Sequence, residues 1–431
     1  MYRNEIVIVW GIGYLGFSNL ICYGVKGKRC IGIDIIPDIK EKIIQGNYKT
    51  DLLKWMNFDA TQLFEKYNVD IISNLKELPE YIEHTHVICV PTEKDGSPWE
   101  EPLLDVINQI VQIERNNHVL RVLVESTMTP GTAEKMLTLM SNALPQNELW
   151  FCVAPRRDWF TSGDKTLENL SRVYGANSET SADYFEELLS VVCKRLVRAS
   201  DYRYAEMSKS VENSLRHVSI MLANQLTDAF PNMDIREVLA LAGTKWNIET
   251  YHPSFGPGGY CIPVSSKYIL QATQEQGLSI LKDVVDYTSE RPFQITKQIE
   301  KFVTGNKIGV MGLTYEADIR VDVGAPIKDI ISQLKEDKYQ IWLNDPYYSE
   351  SEIMEKYHTS IFESLQTCEQ FDALIVNVAH GVYISADWAN IIPSLKRGIQ
   401  VFDNTGMLLR YAELINSKGN YHLIGTPSWN Q

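Results

Sequence analysis

The sequence predicts an α/β protein in which two Rossmann-like, doubly wound parallel sheets are joined by a segment of long helices. Three observations support this fold class. β-Branched apolar runs alternate with helix-compatible segments up to about residue 200, the same alternation returns at residue 307, and the stretch between carries no strand pattern. The runs are short and mostly apolar, as expected for strands that helices cover on both faces.

The first α/β region opens with the strand-like run EIVIVW at 5–10, the glycine pattern GIGYLG at 11–16 and a segment of helical apolar spacing. The next strand-like run, RCIGID, ends at Asp34. Further runs of this type lie at 85–92, 118–127, 149–155 and 171–176. Because polar, helix-compatible segments separate them, we predict a parallel sheet with helices on both faces.

The middle of the chain is predicted to be helical. From Tyr202 to Ala242 apolar residues recur every three or four positions, which indicates one long amphipathic helix or two joined ones. The glycine-rich segment 255–260 interrupts the helical pattern, which then continues to about Phe302.

The last part of the chain is predicted to be a second α/β region. It begins with the strand-like run KIGVMGL and continues with the helix APIKDIISQLK and the strands QIWLNDP, DALIVNVAH and GIQVFDNTG. We therefore predict domains at 1–199, 200–303 and 304–431, with the segment 286–306 as the join before the last one.

The GIGYLG turn predicts a dinucleotide site. Glycines at these spacings permit a tight turn, close approach of a pyrophosphate, and close contact between helix and strand. Asp34 follows the last glycine by 18 positions, where it can accept hydrogen bonds from a ribose diol and repel a 2′-phosphate. The carboxylate of Asp34 therefore favours NAD over NADP. The alternative interpretation of the whole motif is a glycine turn that binds no ligand. The predicted cofactor-binding residues of the turn are Gly11, Gly13, Tyr14, Leu15 and Gly16.

Cys261, in the stretch GPGGYCIP, is the candidate nucleophile. Gly258 and Gly259 would let a substrate approach the backbone, and Pro263 fixes the chain just beyond. A thiolate adds to an aldehyde carbon, and the thiohemiacetal is an alcohol that NAD can oxidise to a thioester. The alternative is a cysteine buried as a spacer in a turn.

Lys209 and Asn213 are four positions apart in a predicted helix, so both side chains project from one face. An ammonium and a carboxamide side by side can stabilise an oxyanion. The alternative is a solvated polar stripe.

Composition excludes several classes. The 431 residues carry a net charge of −14, which argues against sequence-independent nucleic-acid binding. The seven cysteines are scattered without zinc or disulfide spacing, so no metal site is predicted. No apolar run approaches the ~20 residues of a membrane span, and no signal-peptide pattern opens the chain. We therefore expect a cytoplasmic protein without a membrane or nucleic-acid partner.

Eight motifs in order carry a family resemblance: GIGYLG (11–16), VPT (90–92), ESTMTPGT (125–132), AEMSKSVENSLRHVSIMLANQL (205–226), GPGGYCIPV (256–264), GLTYEAD (312–318), NDP (344–346) and VAH (378–380). The chain resembles the UDP-glucose/GDP-mannose dehydrogenase family, the NAD-dependent nucleotide-sugar 6-dehydrogenases. The cysteine stretch is most similar to the branch that oxidises UDP-N-acetylmannosamine and related N-acetylhexosamine nucleotides.

The resemblance implies a function for each part. NAD would bind the first domain, the central helices would form a homodimer, and the last domain would bind a UDP- or GDP-linked sugar. Two hydride transfers would convert the C6 alcohol to a carboxylate, with the intermediates on Cys261, in a pathway such as surface polysaccharide synthesis. The matching site residues are the oxyanion pair Lys209 and Asn213, Thr127 beside the cofactor and the reacting carbon, Pro91 and Thr92 for the cofactor, and Phe255, Gly258 and Gly259 for the substrate.

The chain departs from the family pattern at four positions. Ser265 stands where the family has an aspartate and Arg156 where it has a glutamate. Glu316 replaces a lysine and Val323 an arginine, so two cations expected near the nucleotide or sugar are absent.

The two lost carboxylates predict that oxidation survives better than thioester hydrolysis, because serine and arginine are poor general bases near pH 7. Several outcomes stay open. Glu206 or His217 could supply the base and give a uronic acid, an amine could capture the thioester as an amide, or the reaction could end at the aldehyde. A non-catalytic paralogue that binds a nucleotide sugar is the alternative from another class.

Overall fold

The computed structural model describes residues 5–79, 82–115 and 117–430. The chain divides into two compact units, the first formed by Met1–Glu212 and Lys267–Glu275, the second by Asn213–Ser266 and Gln276–Gln431. The three-domain division at 1–199, 200–303 and 304–431 stays a prediction.

The first unit has ten strands among its described residues: β1 (Glu5–Trp10), β2 (Arg29–Ile33), β3 (Val69–Ile72), β4 (Glu83–Ile88), β5 (Glu93–Lys94), β6 (Ser97–Pro98), β7 (Val119–Val124), β8 (Glu148–Val153), β9 (Ser171–Ala176) and β10 (Arg195–Arg198). Its helices are α1 (Tyr14–Val25), α2 (Ile39–Ile44), α3 (Thr50–Trp55), α4 (Leu63–Lys66), α5 (Glu101–Ile113), α6 (Thr132–Ala143) and α7 (Glu179–Ser190), with a 3₁₀ turn at Leu75–Glu77.

Eight of these strands form one sheet in the order β10-β9-β8-β7-β4-β1-β2-β3, and β5 and β6 form a hairpin. Alternate side chains of β1 enter opposite cores, Val7 and Val9 on one face and Ile6 and Ile8 on the other. This is why the strand is apolar throughout its length. The strand order reverses between β1 and β4, and at such a point a crevice opens at the carboxyl ends of the strands.

The α/β fold with parallel Rossmann-like sheets is confirmed, with one local difference. β9 pairs antiparallel with β8, whereas all other neighbours in the sheet are parallel. The connection 154–170 contains turns and no helix, so the chain makes no helical crossover there and returns in the opposite direction.

Helix α8 (Tyr202–Ala229) contains the boundary between the two units and is followed by α9 (Ile235–Ala242). Of the two alternatives predicted for 202–242, one long helix or two joined ones, the structure has two helices. Next come α10 (Cys261–Ala272) and α11 (Ser279–Glu300). The segment 286–306, predicted to join the last domain to the rest of the chain, is mainly helix, because α11 continues through Pro292.

The second unit contains a six-stranded parallel sheet in the order β13-β12-β11-β14-β15-β16. Its strands are β11 (Lys307–Met311), β12 (Gln340–Asn344), β13 (Ser360–Ile361), β14 (Ala373–Val376), β15 (Gln400–Asp403) and β16 (Asn420–Leu423). The remaining helices are α12 (Pro326–Glu336), α13 (Glu350–Tyr357), α14 (Gly381–Ile384), α15 (Trp388–Ser394) and α16 (Ala412–Asn416), with 3₁₀ turns at Leu365–Gln370, Leu409–Tyr411 and Pro427–Trp429.

Within the described residues, no helix combines the length and the apolar character that a membrane crossing requires.

Candidate active site

The glycine turn lies between β1 and α1, and its three glycines have different structural reasons. Gly11 has a φ of +83°, and a Cβ there would lie 2.9 Å from the carbonyl oxygen of Cys89. A Cβ on Gly16 would lie 1.8 Å from the carbonyl oxygen of Gly11. A Cβ on Gly13 would meet no atom within 4 Å. The fold therefore requires Gly11 and Gly16, whereas the space beside Gly13 is open to a ligand.

This space fits a dinucleotide. Gly13 is the N-cap of α1 and provides no side-chain cap. The first N–H groups of a helix have no partner within the helix, and together with the helix dipole they favour a phosphate. Tyr14 and Leu15, the next predicted cofactor residues, are the first two residues of that helix.

Asp34 follows β2 at the same edge of the sheet. Its carboxylate accepts the backbone N–H of Ile12 at 2.6 Å and that of Ile36 at 2.8 Å. A carboxylate has about four acceptor sites, so capacity remains for a ribose diol.

The loops after β4 and β7 bring Thr92 and Thr127 together. Thr92 Oγ1 donates to the carbonyl oxygen of Thr127 at 2.5 Å and lies 2.8 Å from Tyr268 Oη. Tyr268 Oη also donates to the carbonyl oxygen of Thr92 at 3.0 Å. Pro91 is exposed beside them. The predicted residues 91, 92 and 127 thus lie at the carboxyl ends of neighbouring strands.

Arg156 is the centre of a buried ion network. Its Nε and Nη2 donate to the two carboxylate oxygens of Asp158, each at 2.7 Å. Its Nη1 donates to Asn19 Oδ1 at 2.7 Å and lies 3.4 Å from Glu125 Oε2. Arg172 pairs with the other oxygen of Glu125 at 2.6 Å. Because Asn19 lies on α1, the network holds the helix of the glycine turn.

The electrostatics keep Arg156 charged. Burial alone would lower its pKa, but the carboxylates of Asp158 and Glu125 outweigh burial and raise the pKa well above its usual value. Burial likewise acts to raise the pKa of Glu125, and Arg172 and Arg156 reverse the sign and lower it. Arg156 therefore has a structural role and no capacity to act as a base.

Glu206 and Lys209 also belong to the first unit. The carboxylate of Glu206 accepts the backbone N–H groups of Gly131 and Ala133, both at 2.9 Å, and so caps α6. Lys209 is half-buried, and within 5–79, 82–115 and 117–430 no hydrogen bond or ion pair engages its ammonium.

In the second unit, Cys261 is exposed and is the first residue of α10. A helix N-terminus favours negative charge on a nearby group. Five of the other cysteines are buried and Cys22 is half-buried, as is usual for cysteines that pack as small apolar side chains.

The glycines before Cys261 have a structural reason in addition to the predicted approach of a substrate. A Cβ on Gly258 would lie 2.2 Å from Tyr315 Cβ, and one on Gly259 would lie 3.2 Å from Tyr315 Cζ. The Gly259 N–H donates to the carbonyl oxygen of Val323 at 3.0 Å. The two glycines therefore leave room for the side chain of Tyr315, which belongs to the segment after β11 and packs against the cysteine loop.

Tyr315 is close to the two acidic groups of this region. Burial, with Cys261 and Glu316 nearby, raises the pKa of Tyr315 to about 12. Its hydroxyl thus remains protonated near neutral pH. The half-buried Glu316 puts a carboxylate near the cysteine loop, where the family pattern has a lysine.

Ser265 and Asn213 are hydrogen-bonded to each other. Asn213 Nδ2 donates to Ser265 Oγ at 2.9 Å, and Ser265 Oγ donates to the carbonyl oxygen of Cys261 at 2.6 Å. Ser265 therefore connects the asparagine to the first turn of the cysteine helix. One amide hydrogen of Asn213 remains for a ligand.

His217 and Phe255 are buried. The two ring nitrogens of His217 lie 3.0 Å from Ser266 Oγ and 2.7 Å from Thr288 Oγ1. The ring of Phe255 is part of the apolar core, with its centroid 5.8 Å from that of Trp429. The backbone N–H of Phe255 donates to Asn404 Oδ1 at 2.8 Å.

His84, His86 and Glu114 form a buried cluster that the sequence analysis did not identify. Glu114 Oε1 lies 2.7 Å from His84 Nδ1 and 3.0 Å from His86 Nε2. Trp10 Nε1 donates to His86 Nδ1 at 3.1 Å, which puts the proton of His86 on the nitrogen that faces Glu114. That proton occupies the lone pair a metal would need, so we assign the cluster to structure.

The sequence thus identified the glycine turn, the threonine loops and the cysteine, and it missed Tyr315 and Tyr268. Both tyrosines act through contacts between segments far apart in the chain. Their aromatic character in the motif GLTYEAD and in α10 was the only available signal.

Comparison with known proteins gives matches along most of the chain. The sequence models for the NAD-binding, central and UDP-binding domains of the UDP-glucose/GDP-mannose dehydrogenase family match residues 5–192, 203–289 and 309–409. Protein CapL of Staphylococcus aureus is 26% identical over 428 residues, which cover 94% of this chain and 96% of CapL. UDP-N-acetyl-D-mannosamine dehydrogenase of Methanococcus aeolicus is 25% identical over 392 residues, 88% of this chain and 85% of the relative.

Solved structures share the fold. The UDP-D-ManNAc dehydrogenase from Pyrococcus horikoshii matches with a TM-score of 0.83 at 22% identity, over 98% of this chain and 100% of that one. A UDP-glucose dehydrogenase from Pyrobaculum islandicum matches with a TM-score of 0.83 at 19% identity, over 99% and 98% of the two chains.

Proposed function

The chain belongs to the UDP-glucose/GDP-mannose dehydrogenase family and is an NAD-dependent nucleotide-sugar dehydrogenase, and from this premise we propose that it oxidises the C6 hydroxyl of a UDP-linked N-acetylhexosamine through intermediates on Cys261. The substrate class follows the names of the relatives, which include UDP-N-acetyl-D-mannosamine and UDP-N-acetyl-D-glucosamine dehydrogenases.

The observation that carries this proposal is that Cys261 is an exposed residue at the N-terminus of α10. When bound, NAD supplies the hydride acceptor for each of two oxidations. The Cys261 thiolate adds to the C6 aldehyde formed first, which gives a thiohemiacetal. Loss of a hydride and a proton from that adduct gives a thioester, and water then releases the carboxylate and the thiol.

Lys209 and Asn213 are proposed to stabilise the oxygen of the adduct. They are one helical turn apart on α8, and each retains a donor that the described contacts leave unused. Thr127, with Pro91 and Thr92, is proposed to hold the cofactor where the parallel strands end, and Gly258 and Gly259 to lie along the sugar.

Hydrolysis is the step for which the chain is least equipped. The Arg156 guanidinium is held by Asp158, the Ser265 hydroxyl by Cys261 and Asn213, and each is a poor base. Glu206 and His217, the residues considered as substitutes, are likewise committed to hydrogen bonds. We therefore propose that the thioester accumulates and is released slowly as acid, or as an amide where an amine is supplied.

The test is a single-turnover reaction of the protein with NAD and UDP-N-acetylmannosamine or UDP-N-acetylglucosamine. We expect two NADH per active chain in a fast phase and an acyl mass increase on the Cys261 peptide. Cys261→Ser should lose both the adduct and the second NADH, whereas Cys193→Ala, a change at a buried thiol, should keep both.

Other results separate the alternatives. One NADH and an aldehyde trapped by hydroxylamine would place the end of the reaction before the thioester. Two NADH with Cys261→Ser would contradict the covalent mechanism. NAD binding without any NADH would favour a non-catalytic nucleotide-sugar-binding protein.

A homodimer is proposed from an exposed apolar stripe on α8. Tyr204, Val211, Leu215 and Leu222 are 62%, 37%, 64% and 54% exposed and recur at helical spacing along one face. Light scattering should give twice the 49.2 kDa chain mass. The double change Leu215→Glu with Leu222→Glu should give a folded monomer, and a monomeric unmodified protein would contradict the proposal.

All seven cysteines are unpaired, which supports a cytoplasmic location.

A further inference from the structure

The loop between α2 and α3 lies over the glycine turn. Tyr48 Oη donates to the carbonyl oxygen of Ile12 at 2.6 Å, and Tyr14 Oη donates to Asp51 Oδ2 at 2.5 Å. The ring of Tyr14 also stacks on Trp55, with centroids 6.2 Å apart and planes at 23°. The glycine turn is therefore connected to the loop and to α3 by three side-chain contacts.

Lys49 occupies a constrained position in this loop. Its φ is +46°, in the left-handed region that lysine rarely adopts. Its ammonium lies 4.2 Å from the centroid of the Tyr14 ring. Such a strained backbone conformation is often found where a functional group must be held in place.

Lys49 is half-buried, and its ammonium has no ion-pair partner within 4.0 Å in the part of the chain that the structure describes. Burial lowers the pKa of Lys49, and the more distant carboxylates of Asp51 and Asp34 act in the opposite direction. The ring centroids of Tyr14 and Tyr48 lie 4.2 and 5.8 Å from the ammonium. A partly desolvated cation without a close counter-ion favours an anionic ligand.

We propose that Lys49 is a cofactor-binding residue whose ammonium binds the pyrophosphate of the dinucleotide. The inference rests on the proposed cofactor site at the glycine turn. Tyr14 is the residue directly after Gly13 and the first residue of α1, so the Lys49 ammonium lies over the ring of a residue of the glycine turn. Asp34 and Asp51 would repel a diphosphate, and Lys49 offsets that repulsion.

The experiment measures the affinity of the full chain for NAD and for ADP-ribose by calorimetry, without sugar and without turnover. Lys49→Met should raise both dissociation constants about 10- to 100-fold, since a charge-assisted hydrogen bond is lost. Lys49→Arg should stay within about threefold, because it keeps a cation. The control is Lys54→Met, an exposed lysine of α3, which should change neither constant.

Salt dependence provides a second readout that a structural role would not change. Loss of the ammonium should flatten the increase of the dissociation constant with ionic strength, in Lys49→Met and in Lys49→Gln alike. If either uncharged variant melts like the unmodified protein and binds ADP-ribose equally well, the inference about Lys49 is wrong. If the unmodified protein binds neither ligand, the proposed cofactor site fails as well.

Discussion

At the scale of the residue, Gly13 and Gly258 are glycines for different structural reasons. Gly13 is small where nothing in the chain fills the space, whereas Gly258 is small because the Cβ of Tyr315 lies against it. The sequence pattern alone does not distinguish these cases, since both glycines stand in motifs that suggest a nearby ligand.

Gly258→Ala is expected to lower the free energy of unfolding by about 1–3 kcal/mol, because the added methyl meets the start of a side chain and not its flexible end. The rate at which the Cys261 thiol reacts with an alkylating reagent should fall with it, as the loop before α10 shifts. Urea unfolding and thiol-modification rates measure the two effects. Gly163→Ala, where a Cβ meets nothing within 4 Å, is the matched control, and an equal effect at both sites would refute the explanation.

At the scale of the element, α1 is held in place by a buried network of charged residues, which lie on β9 and in the segments after β7 and β8. Ser18 and Asn19 of this helix both accept hydrogen bonds from Arg156, which lies after β8. Arg156, which stands where the family pattern has a glutamate, is therefore the positive partner of Glu125 and Asp158.

Arg156→Glu, which restores the family residue, is expected to destabilise the first unit by about 3–5 kcal/mol and not to restore hydrolysis, because it leaves buried carboxylates without a partner. Urea unfolding followed by circular dichroism measures the change. Arg157→Gln should cost about 1 kcal/mol or less, since its pair with Glu212 is partly exposed. A stable Arg156→Glu protein with fast thioester hydrolysis would show that the network is dispensable.

The strands and helices themselves were largely predictable, because apolar periodicity is a local property of the chain. The antiparallel direction of β9 was not predictable, because it depends on the conformation of the connection 154–170. The strands on either side of that connection look alike in sequence. The cysteine, the glycine turn and Asp34 were identified by motif. The partners of Arg156, the position of Tyr315 and the left-handed Lys49 depend on contacts between distant segments, which no spacing rule encodes.

At the scale of the whole molecule, acid stability is expected to depend on the cluster on β4. Burial lowers the pKa of His86 below its usual 6.5, despite the opposing effect of Glu114. The unfolded chain then binds a proton that the folded chain does not, so the stabilisation is complete above about pH 6.5 and decreases as the pH falls below it.

The same sign applies to Glu114, where burial is outweighed by hydrogen bonds from His84 and His86 and the pKa is lowered. Its contribution is lost at lower pH, as the unfolded carboxylate becomes protonated. Between pH 6.5 and 5 the free energy of unfolding should approach a slope of about 1.4 kcal/mol per pH unit for the single proton of His86. His86→Gln should remove that slope, and an unchanged slope would assign the titration to another group.

The vacant volume beside Gly13 has a practical consequence. Because a Cβ at position 13 meets no atom of the chain within 4 Å, a bulkier residue there should leave the fold intact. The same residue should fill the space of the cofactor and prevent NAD from binding. Such a form would hold a sugar nucleotide indefinitely, unreacted, and would allow recognition of the sugar to be studied apart from its oxidation.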